Sequence, residues 1–448
     1  MISRLQTRFS LIAVCTSVLC VACGDAAQSP SRGTTDDAGN IQSDRGVTGT
    51  SDAARDEKPT SAMDGSLVAQ GLQPGSQSDA SLLPGPADDA GSLPQPPSGP
   101  LDAGPPDAGP QPQFAEDGEP LQAADETWTY IEFPNTQCRD GSPAGLAVSL
   151  HGGSTKLMIF LEGGGVCQDP ETCLINPANT SEQRAQQRDG VFDRKNAGNP
   201  VKDWNFVYIP YCTGDMHAGA NPDGMVANVG PQKFVGYLNF QKFLARVVPT
   251  FPGVTDVLLT GVSAGGFGAS QSAPLVQRAF PDVKVRMVAD SSPQLPKAVI
   301  PECLQDIYRS NWKLEQTYLA ECGAACPSKS DFMQDYAVFL AKTFSDRPSG
   351  LIESIRDSTV ADYFGIGNNH CTGVLYLTPV PGDTFQAALL GLRDVLAPYP
   401  SFGTYFPPGT QHMWLDDPSF YTGSAGGVKL VDWFGKIADN QVAGNAGP

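Results

Sequence analysis

The chain has 448 residues, 48 Asp plus Glu against 29 Lys plus Arg, a formal net charge of −19, 11 cysteines and 4 histidines. That balance argues against a nucleic-acid-binding protein and against a polybasic membrane surface, because both need clustered Lys and Arg. Four scattered histidines rule out a His-rich metal cluster. The length allows two or three domains, or one large α/β domain with appended segments.

The first 22 residues read as an export signal. Arg4 and Arg8 precede the apolar run from Leu11 to Ala22, a positive region followed by a hydrophobic region too short to span a bilayer. Val21-Ala22-Cys23-Gly24 is similar to a bacterial lipoprotein cleavage site, so Cys23 is the expected lipidation point. A plain signal peptide is the alternative. The only membrane association expected is through that N-terminal lipid anchor.

Residues 23–125 read as a disordered spacer. No Phe, Tyr or Trp occurs from Gly24 to Gln113, and residues 24–125 hold 17 acids and 4 bases. Asp-Ala-Gly recurs at 37–39, 89–91, 102–104 and 107–109 among many prolines. Such a segment cannot bury enough apolar area to offset chain entropy.

The folded domain is expected over 126–448, where aromatics return at Trp128, Tyr130 and Phe133. Continuous apolar runs begin at Leu157, Phe206, Val257, Val283 and Tyr336, and helix-period patterns cover 232–248 and 269–280. Unbroken apolar strands imply burial on both faces, hence a mostly parallel sheet flanked by helices, an α/β architecture. His151-Gly-Gly-Ser154 reads as a hairpin turn. Eight cysteines, 138, 167, 173, 212, 303, 322, 326 and 371, suit disulfides in an exported chain. The residues alone leave their pairing open. CxxC spacing with nearby His is absent, so no metal and no cofactor is expected.

Val257-Leu-Leu-Thr-Gly261-Val-Ser263-Ala-Gly265-Gly266 places G-x-S-x-G between a strand and a helix. A serine on such a turn projects its hydroxyl above the sheet edge, and the crowded backbone needs residues without Cβ. Leu157–Leu161 runs through Glu162 into three glycines, 163–165. The expected oxyanion donors are the N–H groups of Gly164, Gly165 and Ala264. His151-Gly-Gly looks like a lipase motif but precedes the strand.

A serine needs a histidine, and the histidine an orienting acid. His412, in a loop after a short strand, is the expected base in preference to His370, which adjoins Cys371. The acid is expected to follow a strand between Ser263 and His412. Asp346, after the run beginning at Tyr336, fits; Asp362 and Asp383 lack a preceding buried strand. Asp290 ends an earlier strand and is expected to shape the pocket or cap the next segment, and His217 is expected to face the same site.

Phe160-Leu-Glu-Gly-Gly164, Ile209-Pro-Tyr-Cys-Thr-Gly-Asp215, Gly261-Val-Ser-Ala-Gly-Gly266, Ala289-Asp-Ser and Cys138-Arg-Asp-Gly-Ser-Pro-Ala-Gly145 together resemble the pectin acetylesterase and Notum family, in order over about 126–420. The resemblance implies an α/β-hydrolase-like serine carboxylesterase with Ser263, Asp346 and His412 as its triad, and disulfides Cys138–Cys212 and Cys167–Cys173. The family usually has Trp after its two glycines, where Gly165-Val166 stands here. The expected activity is hydrolysis of an acyl ester, acetyl in the first place and carried on a polysaccharide, by an exported or surface-tethered enzyme. A polyester depolymerase or lipase and an inactive glycan-binding lipoprotein are the alternatives.

Overall fold

The computed structural model describes residues 118–328, 331–371 and 378–448. The export signal, Cys23 and nearly all of the spacer lie outside them. Within the described part the chain packs down earlier than Glu126. Leu121 is buried, and its N–H donates to Thr250 Oγ1 at 2.8 Å.

The strands among the described residues are β1 (Thr129–Phe133), β2 (Ala144–Ser149), β3 (Lys156–Leu161), β4 (Asn205–Ile209), β5 (Asn221–Val226), β6 (Gly230–Phe234), β7 (Asp256–Val262), β8 (Val285–Asp290), β9 (Ser349–Ile352), β10 (Phe402–Tyr405), β11 (Ser424–Ala425) and β12 (Val428–Lys429). The helices are α1 (Pro170–Ile175), α2 (Gly236–Thr250), α3 (Ala264–Ala279), α4 (Glu302–Asn311), α5 (Tyr318–Cys322), α6 (Phe332–Thr343), α7 (Ser358–Gly365), α8 (Gly382–Leu396) and α9 (Leu430–Ala438).

Eight strands form one sheet in the order β1-β2-β4-β3-β7-β8-β9-β10. β1, β2 and β4 pair antiparallel, and every step from β4 to β10 is parallel. β3 shows why its apolar run is continuous. Leu157, Ile159 and Leu161 enter one hydrophobic layer, and Met158 and Phe160 enter the other. The first layer takes the apolar faces of α2 to α8; the second is closed by α9, with Trp433 and Phe434, and by Phe192 and Trp204. Both faces are covered, as a parallel sheet requires.

Two expectations need correction. The run Tyr336-Ala-Val-Phe-Leu340 is not a strand but lies inside α6. The buried positions 332, 333, 336, 337, 340 and 341 recur at helical spacing. The turn at His151 is present, with Ser154 N–H donating to His151 O at 3.0 Å. It does not close a hairpin, because β4 stands between β2 and β3.

Four disulfides cross the domain. Cys138–Cys212 and Cys167–Cys173 join as the resemblance implied, and Cys303–Cys371 and Cys322–Cys326 complete the set.

Candidate active site

Parallel strands carry their C-terminal ends to one edge of the sheet, and the loops after β3, β7, β8, β9 and β10 build the site there. Ser263 follows β7 directly, with φ 55° and ψ −124°. Its N–H donates to Asp290 O at 2.8 Å, and its own carbonyl accepts from Gly266 and Phe267 N–H as α3 begins. A Cβ at Gly265 would lie 2.0 Å from Leu161 O, and one at Gly261 2.4 Å from Gly265 O. Those distances explain why both flanking positions are glycine.

The loop after β3 lies against this elbow. A Cβ on Gly163 would meet Ser263 Cβ at 3.0 Å. Glu162 Oε2 accepts the Tyr211 N–H at 2.7 Å, and Gly164 O accepts from Asn176 Nδ2 at 2.7 Å. Asn176 is held in turn by buried Arg139, whose guanidinium donates to the Cys173 and Asn176 carbonyls, both at 2.8 Å, and to Gln232 Oε1 at 2.6 Å. Asp215, fully buried, accepts from Thr213 Oγ1 and from the N–H groups of Gly219 and Gly236. Burial raises its carboxyl to about 6, against the pull of those donors. The Cys-Arg-Asp-Gly and Pro-Tyr-Cys-Thr-Gly-Asp motifs thus brace the glycine loop.

His412 lies in the loop after β10. Its Nδ1 is 2.7 Å from Asp357 Oδ2, with the carboxylate fully buried and the imidazole 13% exposed. Asp357 follows β9 by five residues and caps α7, its Oδ1 accepting the Val360 N–H at 2.9 Å. The acid paired with the histidine is therefore Asp357 and not Asp346. Asp346 follows helix α6 and precedes β9, at the opposite edge of the sheet. It is half exposed, ion-paired with Arg347 at 2.8 Å and Lys284 at 2.9 Å. Its hydrogen bond from Arg347 holds its carboxyl down at about 2.

Ser263 and His412 line one pocket with Gly165, Val166, Met216, Ala264, Phe267, Tyr308, Thr359, Val360, Tyr363 and Phe364. It is a small cavity, about 30 Å³. Gly165 and Ala264 are on its wall; Gly164 is not among the lining residues. Gly165 has φ +73°, and a Cβ there would lie 2.1 Å from the Tyr363 hydroxyl. Ala264 opens α3, where the helix provides no internal acceptor for its N–H. Among the described residues, no bond donated by the N–H groups of Gly164, Gly165 or Ala264 is seen.

Two further expectations are corrected. His217 does not face the pocket. It is buried, its Nε2 lies 2.9 Å from Glu162 O, and its ring packs on Tyr211 at 4.6 Å. Burial lowers its imidazole to about 4, so it is neutral. Asp290 is also absent from the pocket wall. Its Oδ2 accepts the N–H groups of Trp414 and Leu415 at 2.7 and 2.8 Å, and its Oδ1 accepts from Ser291 Oγ at 3.0 Å. Its role is to hold the His412 loop. His370 is exposed beside the Cys303–Cys371 bridge, outside the pocket. Among the described residues no cluster of His, Cys, Asp and Glu has the geometry of a metal site.

Sequence reasoning missed Asp357. Its strand, β9, is only Ser349-Gly-Leu-Ile352, too short to read as an apolar run. The available signal was at the other end: Asp357 stands before Val360, Ala361 and Phe364, a helix N-cap pattern.

A mostly parallel sheet with a serine on a positive-φ strand-to-helix turn, and a His–Asp pair on the loops of later strands, defines an α/β-hydrolase. The pectinacetylesterase family profile matches residues 122–347, half of the chain, and the chain belongs to that family. It is 30% identical over 218 residues to the palmitoleoyl-protein carboxylesterase NOTUM of Drosophila melanogaster, covering 43% of this chain and 32% of that protein. To the Mus musculus protein of the same name it is 32% identical over 169 residues, 34% of this chain and 33% of that one. The chain thus spans about a third of the length of the curated relatives it matches. The solved structure of the Wnt deacylase Notum from Drosophila superposes with a TM-score of 0.54 at 23% identity, covering 70% of this chain and 95% of that one. That likeness is one of fold.

Proposed function

We propose that this protein is a serine carboxylesterase that cleaves short acyl esters, acetyl in the first place, through an acyl-enzyme, with Ser263 as nucleophile, His412 as base and Asp357 as orienting acid. The observation that carries the proposal is the 2.7 Å Asp357–His412 pair opening on the pocket that Ser263 lines. His412 takes the Ser263 proton as Oγ attacks the ester carbonyl. The oxyanion is met by the N–H groups of Ala264 and Gly165, with Gly164 beside them. His412 returns the proton to the leaving alcohol, then takes one from the water that releases the acid. Asp357 bonds His412 Nδ1 and so leaves Nε2 for the serine side.

The acyl preference rests on the pocket's size and on the phenol of Tyr363 over Gly165, which leave little depth for a long chain. A carbohydrate carrying the acetyl group agrees with the family's name. Export, by the N-terminal signal with or without lipid on Cys23, agrees with four disulfides in the domain. The described residues include no helix long and apolar enough to cross a membrane. Hydrolysis of p-nitrophenyl acetate by the purified protein, lost in Ser263→Ala, is the test; equal rates for both proteins would remove the reading.

A further inference from the structure

Glu353 follows β9 directly, and its N–H donates to Tyr405 O at 2.9 Å in register with β10. Its side chain is wholly buried, and neither carboxyl oxygen meets an N–H or O–H donor among the described residues. The side chain within hydrogen-bonding reach is another acid, Asp357. Asp290, at the end of β8, is the second titratable neighbour. His412, on the loop after β10, lies beyond Asp357, and no Lys or Arg among the described residues forms an ion pair with Glu353.

Two carboxyl groups in contact and out of water cannot both be ionised, so they hold a proton between them. Its location follows from the donors each group meets. Asp357 already accepts from Val360 N–H through Oδ1 and pairs with His412 through Oδ2, so both of its oxygens are engaged with partners that donate to it. Glu353 has no such bonds.

We propose that Glu353 is a neutral carboxylic acid whose O–H donates to the Asp357 carboxylate, making it the positioning residue behind the Asp357–His412 pair. This deepens the esterase reading and rests on it. Burial, with Asp357 and Asp290 adjoining, holds the Glu353 carboxyl well above the usual range. Asp357 therefore has a donor at each oxygen and one more from behind, and it is fixed in the plane that His412 needs. The chemistry is a carboxylic acid kept neutral by an apolar site so that it can donate.

Glu353 in the unfolded chain gives up its proton above about pH 4.3, whereas the folded chain retains it. The buried acid therefore costs the fold more stability as pH rises, until the folded group itself ionises. Glu353→Gln keeps a donor without a titrating proton, and Glu353→Leu removes the donor.

The experiment measures melting temperature and esterase kinetics from pH 5 to 9 for the wild type and both variants, with infrared difference spectra of wild type against Glu353→Gln. The Gln variant is expected to melt above the wild type by a margin that widens with pH, with kcat within about threefold. The Leu variant is expected to lose about tenfold in kcat with KM unchanged. The infrared difference should contain a neutral carboxylic-acid carbonyl band at pH 7. A melting difference that is flat with pH, a missing band, or an unaltered kcat in the Leu variant would overturn the proposal. The band and the melting curves need no turnover, so they report on the proton even if the protein proves not to be an esterase.

Discussion

Asp290 joins the two halves of the site through one residue. Its main-chain carbonyl accepts the Ser263 N–H at 2.8 Å, and its carboxylate accepts the Trp414 N–H at 2.7 Å and the Leu415 N–H at 2.8 Å. The serine turn and the histidine loop, about 150 residues apart in sequence, are registered to the same strand end. Ser291 adds a second link, its Oγ accepting the Met413 N–H at 2.9 Å.

Asp290→Ala is therefore expected to act through His412 without touching substrate. Each buried N–H left without its acceptor costs about 1–3 kcal/mol. Both stability and kcat should fall, while KM for p-nitrophenyl acetate stays close to the wild-type value. Urea denaturation and steady-state kinetics on the same preparations check this; a raised KM with normal kcat would return Asp290 to the substrate wall.

Asp357 and Asp346 give opposite expectations. Asp357→Asn leaves the histidine without the carboxylate that fixes its tautomer, a change worth about 10⁴ in kcat in serine proteases. A loss of about 10³-fold or more is expected here. Asp346→Asn removes a half-exposed ion pair at the far edge of the sheet and should leave kcat within twofold.

The two aspartates also mark how far the sequence could be read. Ser263, the glycines after β3 and His412 were legible because each carries a local signature: a motif, a glycine run, and chain order. The acid depended on identifying one strand. In 336–340 five consecutive apolar residues looked like a strand, yet the wider pattern from Phe332 to Ala341 is helical, and Leu340 and Ala341 are buried with Phe332 and Met333 on one face. The true strand has four residues. Shifting the strand moved the acid across the whole sheet. His217 and Asp290 were placed near the right loops, but sequence position gives no side-chain direction, and both point into the protein.

Pocket depth is expected to depend on Tyr363. Its hydroxyl occupies the space over Gly165, and burial raises that phenol to about 12, so it is neutral and acts as a wall. Tyr363→Ala should raise the butyrate-to-acetate ratio of kcat/KM at least tenfold. Gly165→Ala should abolish activity, since the added methyl meets both a positive φ and the Tyr363 oxygen. A nitrophenyl-ester chain-length series reads both variants.

His217 predicts an acid limb of stability. Burial lowers the folded imidazole to about 4, against about 6.5 for a histidine in the unfolded chain. Below pH 6.5 the unfolded chain takes up a proton that the folded chain refuses, so stability falls as pH drops from 6.5 towards 4. The loss from this group approaches ~3 kcal/mol. His217→Gln should flatten that part of the curve of urea midpoint against pH, although it lowers the midpoint at pH 7 by disturbing the bond to Glu162 O.

Covalent labelling tests the central claim most directly. The purified protein is treated with a fluorophosphonate and the modified peptide is sequenced. A single adduct on Ser263 is expected, formed quickly in the wild type, far more slowly in Asp357→Asn, and at the wild-type rate in Asp346→Asn. A folded protein that takes no label at Ser263, or one whose labelling depends on Asp346 and not on Asp357, would contradict it.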